Sequence, residues 1–363
     1  MKNKNIITIL VFNLVICLLI GFPLQAQETI SSDATVKDSN SKEVEQIDFA
    51  NGLLQRGFYD MAVKEYEKYI QTFPESPYLN ESFFGVGEAH FFAEDFQAAM
   101  DGYQRFIELY PDNKKKLVAE LRIGQAFYSL QKYDEALAKL LSVPAQQLEG
   151  EFPQILFLYI GKTYRAKKDQ TKSKEFLEKA ANLENKKNAS YAFIEMAEMF
   201  AEDKNFGEAK IYFEKAAAIA EDVSLKALSL FKEGEMAFIL KDYKGSADIF
   251  RMYLKEYKKE NLASEALANL VLALYNTAQY QELLNVFEEY KFLIKNDKTF
   301  FDVHYAKANA HAQLNIFDAA TKDLDEVLAF AELTPQQYDK ALLRKLEILL
   351  KAKKFEEILK IDP

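Results

Sequence analysis

The residues able to carry chemistry are few and poorly placed for it. His304 and His311 stand seven apart, which puts both on one face of a helix. Metal ligation there would need a third ligand to approach a tetrahedral set. Both fall on apolar-face positions, as does His90 beside Gly87, so packing is the favoured reading. The lone Cys17 excludes a disulfide framework and a thiolate metal site. No His-Glu-x-x-His, phosphate-loop or dinucleotide glycine pattern occurs. Carboxylate pairs such as Glu356 and Glu357 belong to exposed helices, where they are solvated and give no acid–base assignment. Asn80-Glu-Ser82 and Asn188-Ala-Ser190 match the glycosylation acceptor pattern, which matters only in a eukaryotic source. The sequence therefore predicts no catalytic residue, no metal and no cofactor.

Composition narrows the class further. The 363 residues carry 46 Lys+Arg against 56 Asp+Glu, a net charge of −10. That balance argues against nucleic acid, whose phosphates demand Lys/Arg neutralisation. A hydrophobic fraction of 49% supports a large core. Only 12 Gly and 8 Pro point to long regular helices, which both residues interrupt.

The N-terminus has the three-part pattern of a secretory signal. Lys2 and Lys4 precede an apolar run from Ile6 to Ile20, and Leu24-Gln25-Ala26 offers a cut before Gln27. The run is short of the roughly 20 residues a spanning helix needs. Loss of 1–26 removes two lysines and no acid, moving the charge from −10 to −12 and leaving no Cys. The rival reading keeps this segment as an inner-membrane anchor. Residues 27–42 are polar and acidic and read as a flexible tether.

From Glu43 one pattern recurs, an aromatic residue followed by apolar positions at helical spacing. It appears as Tyr59-Ala62-Tyr66-Tyr69, Phe96-Ala99-Tyr103-Phe106 and Tyr133-Ala136-Leu140-Val143. It returns from Phe206, Tyr243, Tyr280 and Phe317, degenerates at Gln170-Ser173-Leu177-Ala180, and ends with Phe355-Ile358. The second positions fall at 62, 99, 136, 173, 209, 246, 283, 320 and 358. Spacings of three and four place these residues on one helical face. Upstream of each lies a second amphipathic stretch with a small residue for close crossing: Ala50, Gly87, Gly124, Gly161, Ala197, Gly234 and Ala308, replaced by Val271 and Leu346 in two copies. Pro74, Pro77, Pro111, Pro144, Pro153 and Pro335 fall between units. Each unit is therefore expected to be a helix hairpin, in a single array over 43–363. The units lie near 43–79, 80–116, 117–153, 154–189, 190–226, 227–263, 264–300, 301–338 and 339–363.

This resembles the tetratricopeptide-repeat (TPR) family, whose pattern sets a small residue in the first helix, another opening the second, an aromatic four later and Pro at the end. Gly87, Ala99, Tyr103 and Pro111 match it most clearly, followed by Ala50, Ala62, Tyr66 and Pro74. The period is near 37 rather than 34 and the family's Trp is absent, so longer inter-helix turns are expected. The resemblance implies an all-α solenoid, a right-handed superhelix of about nine hairpins. It also implies that first helices line a concave groove that binds extended peptides or partner helices.

Carried over by position, one groove row is Phe84, Leu121, Leu158, Ile194, Phe231 and Tyr305. A second is Phe91, Tyr128, Arg165, Phe238 and Tyr275, with Glu88, Gln125, Lys162, Glu198, Glu235 and Asn309 between. Aromatic anchors among polar groups suit a peptide groove, although packing against the next repeat is the plainer reading of any one residue. Lys162 and Arg165 form a basic spot that is either solvated or an acidic partner's anchor. The expected function is a non-catalytic protein- or peptide-binding scaffold, exported to the periplasm of a Gram-negative bacterium. The alternatives are a membrane-anchored holdase and an enzyme or sugar-binding protein with an unrecognised site.

Overall fold

The computed structural model describes residues 37–294 and 298–360. The signal-like segment 1–26 and most of the expected tether lie outside the described residues. Every described α-helix belongs to a hairpin, and no strand occurs among the described residues. None of these helices is long and apolar enough to cross a membrane.

The chain divides into two compact units after Pro144. The period alone gives one uninterrupted array, whereas the division falls in the link Val143–Glu151, which carries Pro144 and a 3-10 turn over Ala145–Gln147. Unit 1 holds three hairpins. These are α1 (Lys37–Gln55) with α2 (Tyr59–Thr72), α3 (Leu79–Phe92) with α4 (Phe96–Leu109), and α5 (Lys116–Ser129) with α6 (Tyr133–Ser142). Helix α1 opens at Lys37, inside the stretch expected to be tether.

Unit 2 holds six. They are α7 (Phe152–Ala166) and α8 (Gln170–Ala181), α9 (Lys186–Glu202) and α10 (Phe206–Ile219), α11 (Val223–Ile239) and α12 (Tyr243–Tyr257). Then come α13 (Ala263–Asn276) and α14 (Tyr280–Tyr290), α15 (Lys298–Gln313) and α16 (Phe317–Leu328), α17 (Pro335–Lys351) and α18 (Phe355–Ile358).

Every hairpin turns in the same way. Three residues separate its helices, and the middle one is left-handed: Gly57, Glu94, Gln131, Lys168, Lys204, Lys241, Ala278, Asn315 and Lys353, with φ from +57° to +81°. In the second hairpin Asp95 N–H donates to the His90 carbonyl and Glu94 N–H to that of Phe91. This is the Schellman closure, which satisfies carbonyls that the helix end leaves open. The same pair of bonds closes each of the others, as with Asp242 to Ala237 and Lys241 to Phe238. The residue after the left-handed one then starts the next helix. Asp95, Asp169, Asn205 and Asp242 accept from the backbone N–H of Ala98, Lys172, Glu208 and Gly245. The hairpin turn is thus constant, and the rest of the period is shared between the helices and the links between hairpins, which run from three residues (220–222) to nine (143–151). Pro153 and Pro335 refine the punctuation expected from sequence, because they lie in the first turns of α7 and α17 rather than between helices.

The small residues set the crossing distance. Ala62, Ala99, Ala136, Ser173, Ala209, Ser246 and Ala320 have no solvent exposure. A Cβ added at Gly87 would stand 2.6 Å from the Tyr103 ring, and one at Gly234 2.8 Å from the Phe250 ring. Each unit buries its core along the stack. In unit 1, Ile47, Tyr66 and Tyr69 lead into a cluster of Phe83, Phe84, Tyr103, Phe106 and Ile123. In unit 2, successive clusters centre on Leu177 and Phe213, on Phe250 and Leu270, and on Leu324 and Ile348. A lone hairpin could not bury these faces, and stacking does.

Candidate protein-binding site

The first expected groove row is not a groove. Phe84, Leu121, Leu158, Ile194 and Phe231 are between 0 and 8% exposed. Phe84 packs with Ala119 and Ile123 of α5, Leu158 with Ile194 and Met196 of α9, and Phe231 with Leu267 of α13. In each of these the next hairpin's first helix belongs to the same core. Only Tyr305 of that row is half-buried. It stacks on Phe301 at 5.2 Å and carries the Lys340 ammonium 4.6 Å above its ring.

The polar residues between the rows are largely engaged in holding hairpins together. Glu88 and Gln125 are each 2% exposed. Arg122 Nε donates to Glu88 Oε1 at 2.9 Å, Nη2 to Oε2 at 3.4 Å, and Nη1 to Gln125 Oε1 at 3.0 Å. The Tyr103 hydroxyl also donates to Glu88. Burial, with the Glu88 charge beside it, pushes the Tyr103 phenol well above its usual range. The Arg122 guanidinium lies over Phe91 at 4.9 Å and Phe92 at 5.5 Å. Similar bonds join the first two hairpins. Tyr66 donates to Asn51 at 2.6 Å, and Asn51 donates to Glu81 at 2.8 Å. In unit 2, Arg344 Nε donates to Asn309 Oδ1 at 2.6 Å. Asn309 is buried, not a groove donor.

Lys162 and Arg165 do not form a free basic spot. Arg165 Nη1 donates to Glu195 at 2.5 Å and Glu198 at 2.8 Å, and Nη2 to Glu202 at 2.6 Å. Lys162 lies 3.1 Å from Glu195. Burial pushes the Glu195 carboxyl up, but the Lys162 and Arg165 charges outweigh it and hold that carboxyl below its ordinary range. The acids that meet this spot come from the next hairpin of the same chain. Glu235 is paired within its own helix, with Lys232 at 2.7 Å.

The second row keeps its aromatics near the surface. Phe91 and Tyr128 in unit 1, and Phe238 and Tyr275 in unit 2, are all half-buried. Each rests against the first residue of its hairpin's second helix. The ring centroids are 5.7 Å apart for Phe91 and Phe96, and 5.8 Å for Tyr128 and Tyr133. For Phe238 and Tyr243 the separation is 5.1 Å, and for Tyr275 and Tyr280 it is 5.6 Å.

The histidines pack. His304 stacks on Phe300 at 4.1 Å and meets Phe287 edge-on at 5.2 Å. Burial, with Lys307 nearby, lowers its pKa to about 4. His311 Nδ1 lies 2.6 Å from Asp323, which Lys307 also meets at 2.8 Å. Among the described residues no three His, Cys, Asp or Glu side chains gather as a metal set. The two glycosylation patterns lie inside α3 and α9. Ser82 and Ser190 are fully buried and donate to the Tyr78 and Lys186 carbonyls, so neither is an open acceptor loop.

Sequence reasoning missed Arg122 and Arg344. Their signal was a cation inside the apolar stretch of a first helix, 34 or 35 residues beyond a polar residue of the preceding hairpin and so just short of one period.

Comparison with known proteins fits this architecture. Family models described as tetratricopeptide repeat match residues 81–113 and 158–187. No protein of curated function matches the chain in sequence. Among solved structures, the C-terminal part of a TPR repeat-containing protein from Cytophaga hutchinsonii is 15% identical. It covers 70% of this chain and 98% of its own, with a TM-score of 0.53. Apo RapI is 14% identical over 86% of this chain and 99% of its own, with a TM-score of 0.54. PilW, a type IV pilus biogenesis factor, is 15% identical over 63% and 99%, with a TM-score of 0.51. These likenesses speak to the fold, an all-α solenoid of helix hairpins. The two repeat-model matches support a tetratricopeptide-repeat protein, and the solved structures share its fold.

Proposed function

We infer that this protein is a non-catalytic scaffold, each of whose two units binds protein segments on the face carrying its own second-row aromatics. The observation that carries the reading is the contrast between the two rows. Phe84, Leu121, Leu158, Ile194 and Phe231 are sealed into the stack, whereas Phe91, Tyr128, Phe238 and Tyr275 stay half-buried. Half-buried aromatic rings give large contact area at low entropic cost, which suits them as anchors for a partner. The partner is a protein or extended peptide held in the cell envelope, on the periplasmic side, and the signal-like pattern of residues 1–26 supports that placement.

The test is cross-linking and capture from the native cell, with Phe238→Ala and Tyr275→Ala combined in one variant. Capture is expected to fall while helicity stays unchanged. Undiminished capture by the variant would sink the assignment of this surface. The intact mass of the native protein tests the placement, with a chain starting at Gln27 expected.

A further inference from the structure

The central residue of every hairpin turn is left-handed, a conformation that glycine adopts freely, asparagine tolerates and other side chains resist. The first hairpin uses Gly57 and the eighth Asn315. Four of the six hairpins of unit 2 use lysine instead: Lys168, Lys204, Lys241 and Lys353. All four are exposed. None of their side chains makes a hydrogen bond or ion pair with another described residue, so nothing among the described residues accounts for a lysine there. A residue held in a disfavoured conformation without an internal partner points to an external one.

The acids near these lysines are mostly occupied. Asp169 and Asp242 turn inward to cap α8 and α12. Glu202 is held by Arg165, and Asp318 and Glu357 by Lys354. Asp203 and Glu356 remain exposed, against the further exposed cation of Lys244. The same turns expose large apolar side chains. Ile239 and Leu240 precede Lys241, Ile316 follows Asn315, and Leu350 and Phe355 bracket Lys353. Ammonium groups interspersed with exposed aliphatic and aromatic side chains are the chemistry of an interfacial lipid contact. The cations meet phosphates while the apolar groups enter the headgroup boundary. Turn tips lie at the ends of helices and offer no concave wall to a peptide, which favours an extended anionic surface over an acidic segment.

We propose that the hairpin-turn edge of unit 2, marked by Lys168, Lys204, Lys241 and Lys353, docks on an anionic phospholipid surface. The decisive variant combines Lys168→Asn, Lys204→Asn, Lys241→Asn and Lys353→Asn. Asparagine suits the left-handed turn, so the variant keeps its helicity, and its Tm holds or rises. Flotation of the full chain with phosphatidylglycerol-containing vesicles is compared with pure phosphatidylcholine vesicles. The N-terminal segment with Lys2 and Lys4 is common to wild type and variant, so the difference between the two proteins removes its contribution. The wild type should prefer the anionic vesicles and lose that preference as salt rises. Each lysine removed should lower the preference about fivefold, so the fourfold variant should show almost none. Equal binding of the wild type to both vesicles overturns the proposal, as does a preference that is undiminished in the variant. Retention on immobilised poly-glutamate without vesicle binding would also overturn it, assigning the edge to an acidic polypeptide.

Discussion

Arg122 reaches from the third hairpin into the second to meet Glu88, Nε to Oε1 at 2.9 Å, with both side chains at most 5% exposed. Burying two charges costs more than their attraction returns unless the geometry is good and remaining polar atoms are satisfied. Here Gln125 and Tyr103 complete the set, and Phe91 and Phe92 flank the guanidinium. Arg122→Met would leave Glu88 charged without a counter-ion, a loss of about 3–5 kcal/mol. Adding Glu88→Gln to that variant should restore most of it. Chemical denaturation of the single and double variants checks this. A single variant that costs under about 1 kcal/mol would mean the pair is not buried as described.

The turns predict opposite effects from opposite substitutions. Ala278 holds φ +57° with a Cβ. Ala278→Gly should therefore stabilise by about 0.5–1 kcal/mol. Gly57, at φ +81°, should lose at least about 1–2 kcal/mol on becoming Val, a β-branched residue in the left-handed region. Thermal melts of both variants give the comparison.

Glu233 makes stability depend on pH. Burial, with Glu214 nearby, pushes its pKa up to about 7 despite the opposing Lys210 charge. The folded state therefore binds its proton more tightly than the unfolded state does. Its favourable contribution is full below the unfolded pKa of about 4.5 and is lost as pH rises from there to about 7. Glu233→Gln keeps the neutral shape and removes the penalty. It should stabilise by about 1–3 kcal/mol at pH 8 and change little at pH 4. Equal effects at both values would mean the carboxyl is not held protonated.

Local periodicity made the hairpins legible. The residue opening each recurrent pattern, from Tyr59 and Phe96 to the degenerate Gln170 and the final Phe355, is the first residue of a second helix. Spacings of three and four report which face of a helix is apolar, and that depends only on the helix itself. The site was less legible because exposure depends on the neighbour. Phe84 and Phe91 share a face and an apolar character, yet Phe84 is sealed and Phe91 is not. Nothing in their spacing states how far the next helix extends over them. Glu88 likewise reads as a groove residue until Arg122, nearly one period later, is brought within 2.9 Å. Arg165 and Lys162 read as free cations for the same reason, since Glu195 and Glu198 belong to the following hairpin.

The crossing glycines give the sharpest test of the packing, because one method can rank three of them against a glycine that meets nothing. At Gly87 the intruding Cβ would meet the Tyr103 ring, 2.6 Å away. That ring is fully buried and its hydroxyl is bound to Glu88, so it cannot swing aside. At Gly124 the obstacle is the Leu140 side chain at 2.5 Å, and at Gly161 it is Leu177 at 2.7 Å. A leucine can change rotamer and give way in part, although at Gly161 the Leu177 backbone nitrogen, 3.1 Å away, stays in place. Gly52 in α1 has nothing within 4 Å, so there alanine gains the helix propensity that glycine lacks. Gly87→Ala should cost about 2–3 kcal/mol, and Gly124→Ala and Gly161→Ala about 1–2. Gly52→Ala should instead stabilise by about 0.5–1 kcal/mol. Denaturation midpoints of the four variants give the order directly. A Gly87 variant as stable as the wild type would show that the second hairpin closes less tightly than its glycine implies.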